Sequence, residues 1–137
     1  LSVWMLAFSL FFFFALAAVK RQAELVDGAA RGRAEAGGRG YRTADLPVVA
    51  SMALGAGYVS VLVMALYIDS PAVRALYATP AALWGICLVL LFWLSRMVLL
   101  AHRGAMHDDP VVFAATDRVS LACAGLVLAS ALAGALA

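Results

Sequence analysis

Phe11-Phe12-Phe13-Phe14-Ala15-Leu16-Ala17-Ala18-Val19-Lys20-Arg21-Gln22-Ala23-Glu24-Leu25-Val26-Asp27 is the stretch on which the reading of this chain turns. It begins as unbroken hydrocarbon and becomes charged within one residue. Residues 1–19 are almost all apolar. At 1.5 Å per residue they are long enough to cross a hydrocarbon core of about 30 Å. On a helix, Lys20, Glu24 and Asp27 fall at i, i+4 and i+7 and share one face, with Arg21 beside it. Charges of both signs at the end of a span are costly unless they face a cavity or a bundle interior. The expectation is a polar site at the mouth of a helical membrane bundle, with the helix continuing as an amphipathic extension to about residue 27.

Composition agrees with that start. The chain is 66% hydrophobic and only 13% charged, with a mean hydropathy of +0.98. A water-soluble domain is nearer half apolar and a quarter charged. The fold class is therefore all-α integral membrane, the lipid bilayer is the surrounding partner, and nucleic acid is not expected as one. The chain opens on Leu1 in mid-span composition, which reads as the carboxy-terminal portion of a longer protein. Cys87 and Cys123 each lie inside apolar runs and read as small buried hydrophobes.

Working outward, four spans are predicted, over about residues 1–19, 48–68, 80–101 and 118–137. Gly28, Gly32, Gly37, Gly38 and Gly40 interleave with Arg31, Arg33 and Arg39, so residues 20–46 hold a flexible basic loop. Asp45 is placed to cap the second span, with Pro47 in its first turn. Ser51/Gly55 and Ala53/Gly57 form two small-xxx-small pairs suited to close helix approach. Asp69-Ser70-Pro71 ends that span and starts a short interfacial helix reaching Tyr77. The loop of residues 102–117 holds Asp108-Asp109-Pro110, the pattern of a helix cap followed by proline at the first position. Asp117 and Arg118 read as a local pair, and the Ala- and Gly-rich last span reads as buried among helices.

Lys and Arg concentrate in the first and third loops, which puts both in the cytoplasm under the positive-inside rule. The bland reading of Lys20 and Glu24 is an i,i+4 ion pair at the interface. Lys before Glu is the weaker order for such a pair, and a site for a phosphorylated substrate is the sharper reading. In it the cations meet phosphate oxygens, while Glu24 and Asp27 hold a sugar hydroxyl or a divalent metal. The glycine-jointed loop would close over a diphosphate. Arg96 lies about 9 Å deep in its span, either snorkelling or facing the cavity. No P-loop, dinucleotide fingerprint or nucleophile constellation is present in the sequence.

Leu16-Ala17-Ala18-Val19-Lys20-Arg21-Gln22-Ala23-Glu24-Leu25, Gly38-Arg39-Gly40-Tyr41-Arg42, Ser95-Arg96 and His107-Asp108-Asp109-Pro110-Val111-Val112-Phe113-Ala114 together resemble the UbiA-type intramembrane prenyltransferase superfamily. The nearer match is its decaprenyl-phosphate phosphoribosyltransferase branch. The resemblance implies the second half of a nine-helix bundle in a bacterial inner membrane, with active-site loops in the cytoplasm. It implies Mg²⁺ as cofactor, a polyprenyl lipid substrate and a phosphorylated or diphosphate donor. Most relatives carry Asp-x-x-x-Asp where this chain has Lys20-x-x-x-Glu24, and the Asn-Asp-x-x-Asp-like first motif has no counterpart here. A charged lysine cannot ligate Mg²⁺ but pairs with phosphate. The expected reaction is transfer of 5-phosphoribosyl from phosphoribosyl pyrophosphate to polyprenyl phosphate. By that resemblance Lys20 and Arg21 hold phosphate, Glu24 meets a ribose hydroxyl or metal with Asp27 beside it, Arg39 and Tyr41 sit on the closing loop, and Arg96 lines the site. The alternatives are isoprenoid transfer to an aromatic acceptor and a non-catalytic membrane bundle or transporter segment.

Overall fold

The computed structural model describes residues 3–30, 32, 42–78, 80–106 and 109–136. The first helix, α1 (Val3–Ala30), runs for 28 residues without a break. Its length of about 42 Å exceeds a hydrocarbon core of about 30 Å, so the turns from Lys20 onward extend past the apolar segment. A 3₁₀ turn at Thr43–Asp45 leads into α2 (Leu46–Ile68), which returns along α1. The short α3 (Pro71–Leu76) follows, and a second 3₁₀ turn at Pro80–Leu83 opens into α4 (Trp84–His102). Finally α5 (Pro110–Thr116) leads into α6 (Arg118–Leu136).

Among the described residues, four helices are long and apolar enough to cross a membrane. Their number agrees with the four spans predicted, and a short helix begins at Pro71 as expected. The outward surface is apolar: Leu6, Leu10 and Phe13 on α1, Leu62 on α2, Leu88 and Phe92 on α4, and Leu128 on α6 are all exposed. Water cannot solvate so continuous an apolar exterior, and a bilayer can.

Packing is organised in four buried clusters among the described residues, the smallest pairing Leu25 with Val49. At one end Ala18, Val19, Ala53, Met97, Val98 and Ala101 are buried together. Ala15, Leu16 and Leu94 form the middle, with Phe12 and Trp93 against them. At the other end Met64, Ile68, Val73, Leu83 and Cys87 close the α2–α3–α4 junction. Only one of the two small-residue pairs on α2 faces the bundle: Ala53 and Gly57 are buried, whereas Ser51 and Gly55 are exposed. A Cβ placed at Gly57 would lie 3.4 Å from Leu94 Cδ1 and 3.7 Å from Ala15 Cβ. Gly57→Ala should therefore be tolerated, while Gly57→Ile should overpack α1 against α4 and cost about 1–3 kcal/mol. The thermal midpoints of the two variants in detergent check this.

Two expectations are corrected here. Within this chain the last span is not enclosed by helices: α6 lies along α4 and the turn before it, and most of its described residues are exposed. Alanine and glycine make a helix easy to pack against but do not by themselves supply a neighbour. Asp45 does not cap α2 through its side chain; its Oδ2 instead accepts from Arg42 N–H at 2.8 Å, closing the preceding 3₁₀ turn.

Candidate functional site

The site is assembled where α1, α4 and the α5–α6 corner meet. Gly104 makes this possible. Its φ of +72° ends α4, and Ala105 N–H reaches back to Leu100 O at 3.0 Å. That reversal, which a side chain would strain, carries the chain toward α1. A buried Met106 and Pro110 then seat the start of α5.

Asp109 caps α5. Its Oδ1 accepts from Val111 N–H at 2.9 Å with Pro110 next in line, as the sequence pattern predicts. Its other oxygen, Oδ2, lies 3.3 Å from Lys20 Nζ on α1. Lys20 therefore does not pair with Glu24 along its own helix. Glu24 is taken by Arg21, one turn before it, and the Arg21 side chain is only 15% exposed. Arg21 satisfies Glu24 locally, which leaves Lys20 to bridge between helices.

Asp117 is the second hub. Its carboxylate takes the Arg96 guanidinium as a fork, with Nη1–Oδ2 at 2.5 Å and Nη2–Oδ1 at 3.3 Å. Asp117 also caps α6, since Oδ2 accepts from Ser120 N–H at 3.0 Å and Ser120 O–H at 2.8 Å. Trp93 Nε1 donates to Ser120 Oγ at 2.9 Å, extending the network onto the inner face of α4. The Arg96 fork, reinforced by Ser120, holds the Asp117 carboxyl below the usual carboxylate range. The expected local pair of Asp117 with Arg118 is thus replaced by a pair across 21 positions. Arg96 does not snorkel away from the bundle; a carboxylate at the next helix start meets it.

Gln22, fully buried, ties α1 to α4 on its other side. Its Nε2 donates to Val98 O at 3.2 Å, and its Oε1 accepts nothing among the described residues.

Beside this polar end lies an open apolar groove of about 450 Å³. Phe12, Leu90 and Trp93 line one side, Val111 and Ala114 of α5 another, and Cys123 of α6 a third. Trp93 stacks on Phe12 at 6.0 Å between ring centroids. Ser120 belongs to both the cavity wall and the Asp117 network. Trp93 and Ser120 thus join the apolar groove to the Arg96–Asp117 pair.

Of the residues singled out from sequence, Lys20, Arg21, Glu24 and Arg96 stand at this one end, and Asp27 lies on α1 one turn beyond Glu24. Arg39 and Tyr41 lie outside the described residues. No group of three or more His, Cys, Asp or Glu able to hold a metal occurs among the described residues. The partners the sequence reading missed are Asp109 and Asp117, seen there only as a cap and a local pair, and Trp93 with Ser120. One signal existed: a cation as deep as Arg96 must find a counter-charge.

No family model matches the chain, and no solved structure matches it. The chain is similar to two curated proteins. One is the uncharacterized protein y4nM of Sinorhizobium fredii, 38% identical over 120 residues that make up 87% of this chain and 23% of that protein. The other is the nodulation protein NoeC of Azorhizobium caulinodans, 38% identical over 118 residues, 86% of this chain and 38% of that protein. The chain therefore spans about a quarter of the length of one relative and about two fifths of the other.

Proposed function

We propose that this chain is the lipid-phosphate-binding part of a UbiA-type membrane transferase. The full-length protein would move 5-phosphoribosyl from phosphoribosyl pyrophosphate to a polyprenyl phosphate. A phosphate oxygen of the lipid bonds to C1 of the ribose, and diphosphate leaves with the electron pair of the broken bond. The observation that supports this most is that an apolar groove of about 450 Å³ is linked to two cations, Arg96 through Asp117 and Ser120 and Lys20 through Asp109 at the start of α5. A polyprenyl phosphate has that same division into a long apolar tail and a compact anion. Catalysis in such a site rests on positioning and on neutralising charge.

The roles follow from exposure. Lys20, with 39% of its side chain exposed, meets phosphate first. Arg21 and Glu24 act as a pair, Glu24 facing a ribose hydroxyl. Asp27, Arg39 and Tyr41 belong to the same proposal as donor-side residues. Mg²⁺ enters only with the donor's phosphates and with ligands beyond the described residues, so no step here is routed through it. Placement in a bacterial inner membrane, with this end in the cytoplasm, is part of the proposal. Similarity to a nodulation protein adds that the lipid-linked product would serve that process.

The test is transfer of radiolabelled phosphoribosyl to polyprenyl phosphate by the full-length protein in the presence of Mg²⁺. Label should enter the lipid phase, and Lys20→Gln should cut the rate about 10- to 100-fold, the worth of one charged hydrogen bond of about 1.5–3 kcal/mol. Label absent from lipid overturns the reading. Isoprenoid transfer to an aromatic acceptor, tolerant of Lys20→Gln, would favour the ordinary prenyltransferase chemistry instead.

A further inference from the structure

Lys20, Arg21 and Arg96 each hold a carboxylate. Arg103 and Arg118 do not: both are exposed, and neither pairs with a carboxylate among the described residues. Arg103 follows the last turn of α4 and keeps a helical backbone, while Arg118 opens α6. The pairs Arg96–Asp117 and Trp93–Ser120, and the close approach of Gly85 to Ser130, run in opposite order along the two helices. The helices are therefore antiparallel, and both arginines stand at the same end of the α4–α6 seam. Asp117, the carboxylate beside Arg118, is already taken by the Arg96 fork.

A second apolar groove, of about 410 Å³, runs along that seam. Leu88, Val89 and Phe92 wall it from α4, and Val119, Ala122 and Leu126 from α6. Leu88, Phe92 and Leu126 are 70%, 54% and 56% exposed, so this groove opens to the outside of the bundle, where the bilayer lies. It is distinct from the groove beside the Asp117 network. Val89 and Cys123 belong to both, but Ser120, Ala124 and Val127 face the first and Val119, Ala122 and Leu126 the second. On α4 the exposed Phe92 and Leu99 share a face with Arg103, and on α6 Ala122 lies one turn on from Arg118 on the same face. At 1.5 Å per residue, Phe92 is about 16 Å along the axis from Arg103, and Leu126 about 12 Å from Arg118. Those depths match one leaflet, half of a hydrocarbon core of about 30 Å.

We propose that this outer groove seats an anionic phospholipid of the surrounding bilayer, with its phosphate on Arg103 and Arg118 and one acyl chain along Phe92, Ala122 and Leu126. The argument is charge complementarity at the right depth. Two unpaired guanidinium groups crown an apolar channel one leaflet deep, and a guanidinium binds phosphate oxygens in a two-pronged fork. A zwitterionic headgroup carries its own cation, which the two arginines repel, so a net negative lipid is preferred. The lipid would cover a side of α6 that α4 leaves open. This seat takes no part in the proposed transfer reaction and stands whether or not that reaction occurs.

The test uses the full-length protein in phosphatidylcholine nanodiscs doped with a small fraction of phosphatidylglycerol whose acyl chain carries a photoreactive diazirine. Cross-linked residues are mapped by mass spectrometry, and a phosphatidylcholine probe with the same diazirine chain is the charge control. The phosphatidylglycerol probe should label the stretches around Phe92 and residues 119–126, well above the phosphatidylcholine probe. Unlabelled phosphatidylglycerol should compete the label away. Arg103→Gln and Arg118→Gln should each lower it about 5-fold, and the double variant about 25-fold, the worth of one juxtamembrane cation at an anionic lipid surface taken once and twice. Ala122→Phe, which fills the groove without touching charge, should lower it too. Equal labelling by the two probes overturns the proposal, because the groove then holds bulk lipid without selecting a headgroup; that comparison needs no variant. Labelling unchanged in the double arginine variant overturns it as well. Absence of label from both probes shows the groove covered by another part of the full-length protein, and the lipid seat is then wrong.

Discussion

Replacing Asp117 with alanine should lower the unfolding free energy of the detergent-solubilised full-length protein by about 2–3 kcal/mol. The change removes two things at once. Arg96 loses both arms of its fork, and α6 loses the side chain that satisfies its Ser120 amide. Breaking a fully buried pair costs about 3–5 kcal/mol, but these side chains keep 22% and 16% exposure, which reduces that figure. Loss of a cap adds about 1 kcal/mol. Asp117→Asn, which keeps a cap and loses the charge, should fall between wild type and alanine. Thermal or denaturant midpoints decide it, and unchanged midpoints would show that the fork carries no weight. Acid gives an independent check. A carboxyl whose folded pKa is depressed contributes its full stability above its unfolded pKa, and that contribution is lost as pH falls through the folded value. The gap between wild type and Asp117→Ala should thus be constant above about pH 5 and shrink below about pH 4.

Ala124→Phe is the second large effect. Ala124 lines the groove from α6, as Trp93 does from α4, and takes no part in the ion pairs. A phenyl ring there occupies the space assigned to the polyprenyl tail. Under the proposed function, transfer to a long-chain polyprenyl phosphate should fall at least about 10-fold, which needs only about 1.4 kcal/mol of lost tail binding in the transition state. Binding of inorganic diphosphate, which has no tail, should be unchanged. Equal transfer rates for wild type and Ala124→Phe with a long-chain acceptor would remove the tail from this cavity. The fold should survive, because Ala124 is exposed and no packed layer surrounds it.

The order of the two networks explains why head and tail effects should separate. Lys20 and Asp109 touch only the α1–α5 seam. Asp117, Ser120 and Trp93 touch the cavity wall. Changes at Lys20 should act on anion affinity, and changes at Ala124 on the lipid chain.

Much of the fold was open to reading from the chain itself. A run such as Leu1–Val19 can satisfy its backbone in a bilayer only as a helix, so hydrophobic length alone set the positions of the spans. Asp109-Pro110 acted through local backbone geometry, which is also a property of neighbouring residues. The failures were all questions of partnership. Asp117 with Arg118 and Asp45 with α2 were chosen by nearness in sequence, and for Lys20, once Glu24 was set aside as its partner, no other carboxylate was named. The folded chain preferred Asp109, Arg96 and Arg42 N–H, because a charge at a bundle mouth pairs with whatever the packing of other helices brings closest. The burial of α6 was misjudged for the same reason: small residues permit contact, but only the arrangement of neighbours provides it. Sequence by itself therefore determined that this is a membrane bundle with a charged end, since hydrophobic length and charge placement are written residue by residue. Only the tertiary structure decided which carboxylate faces which cation and that an apolar groove lies beside them, since those distances depend on helices far apart in the chain.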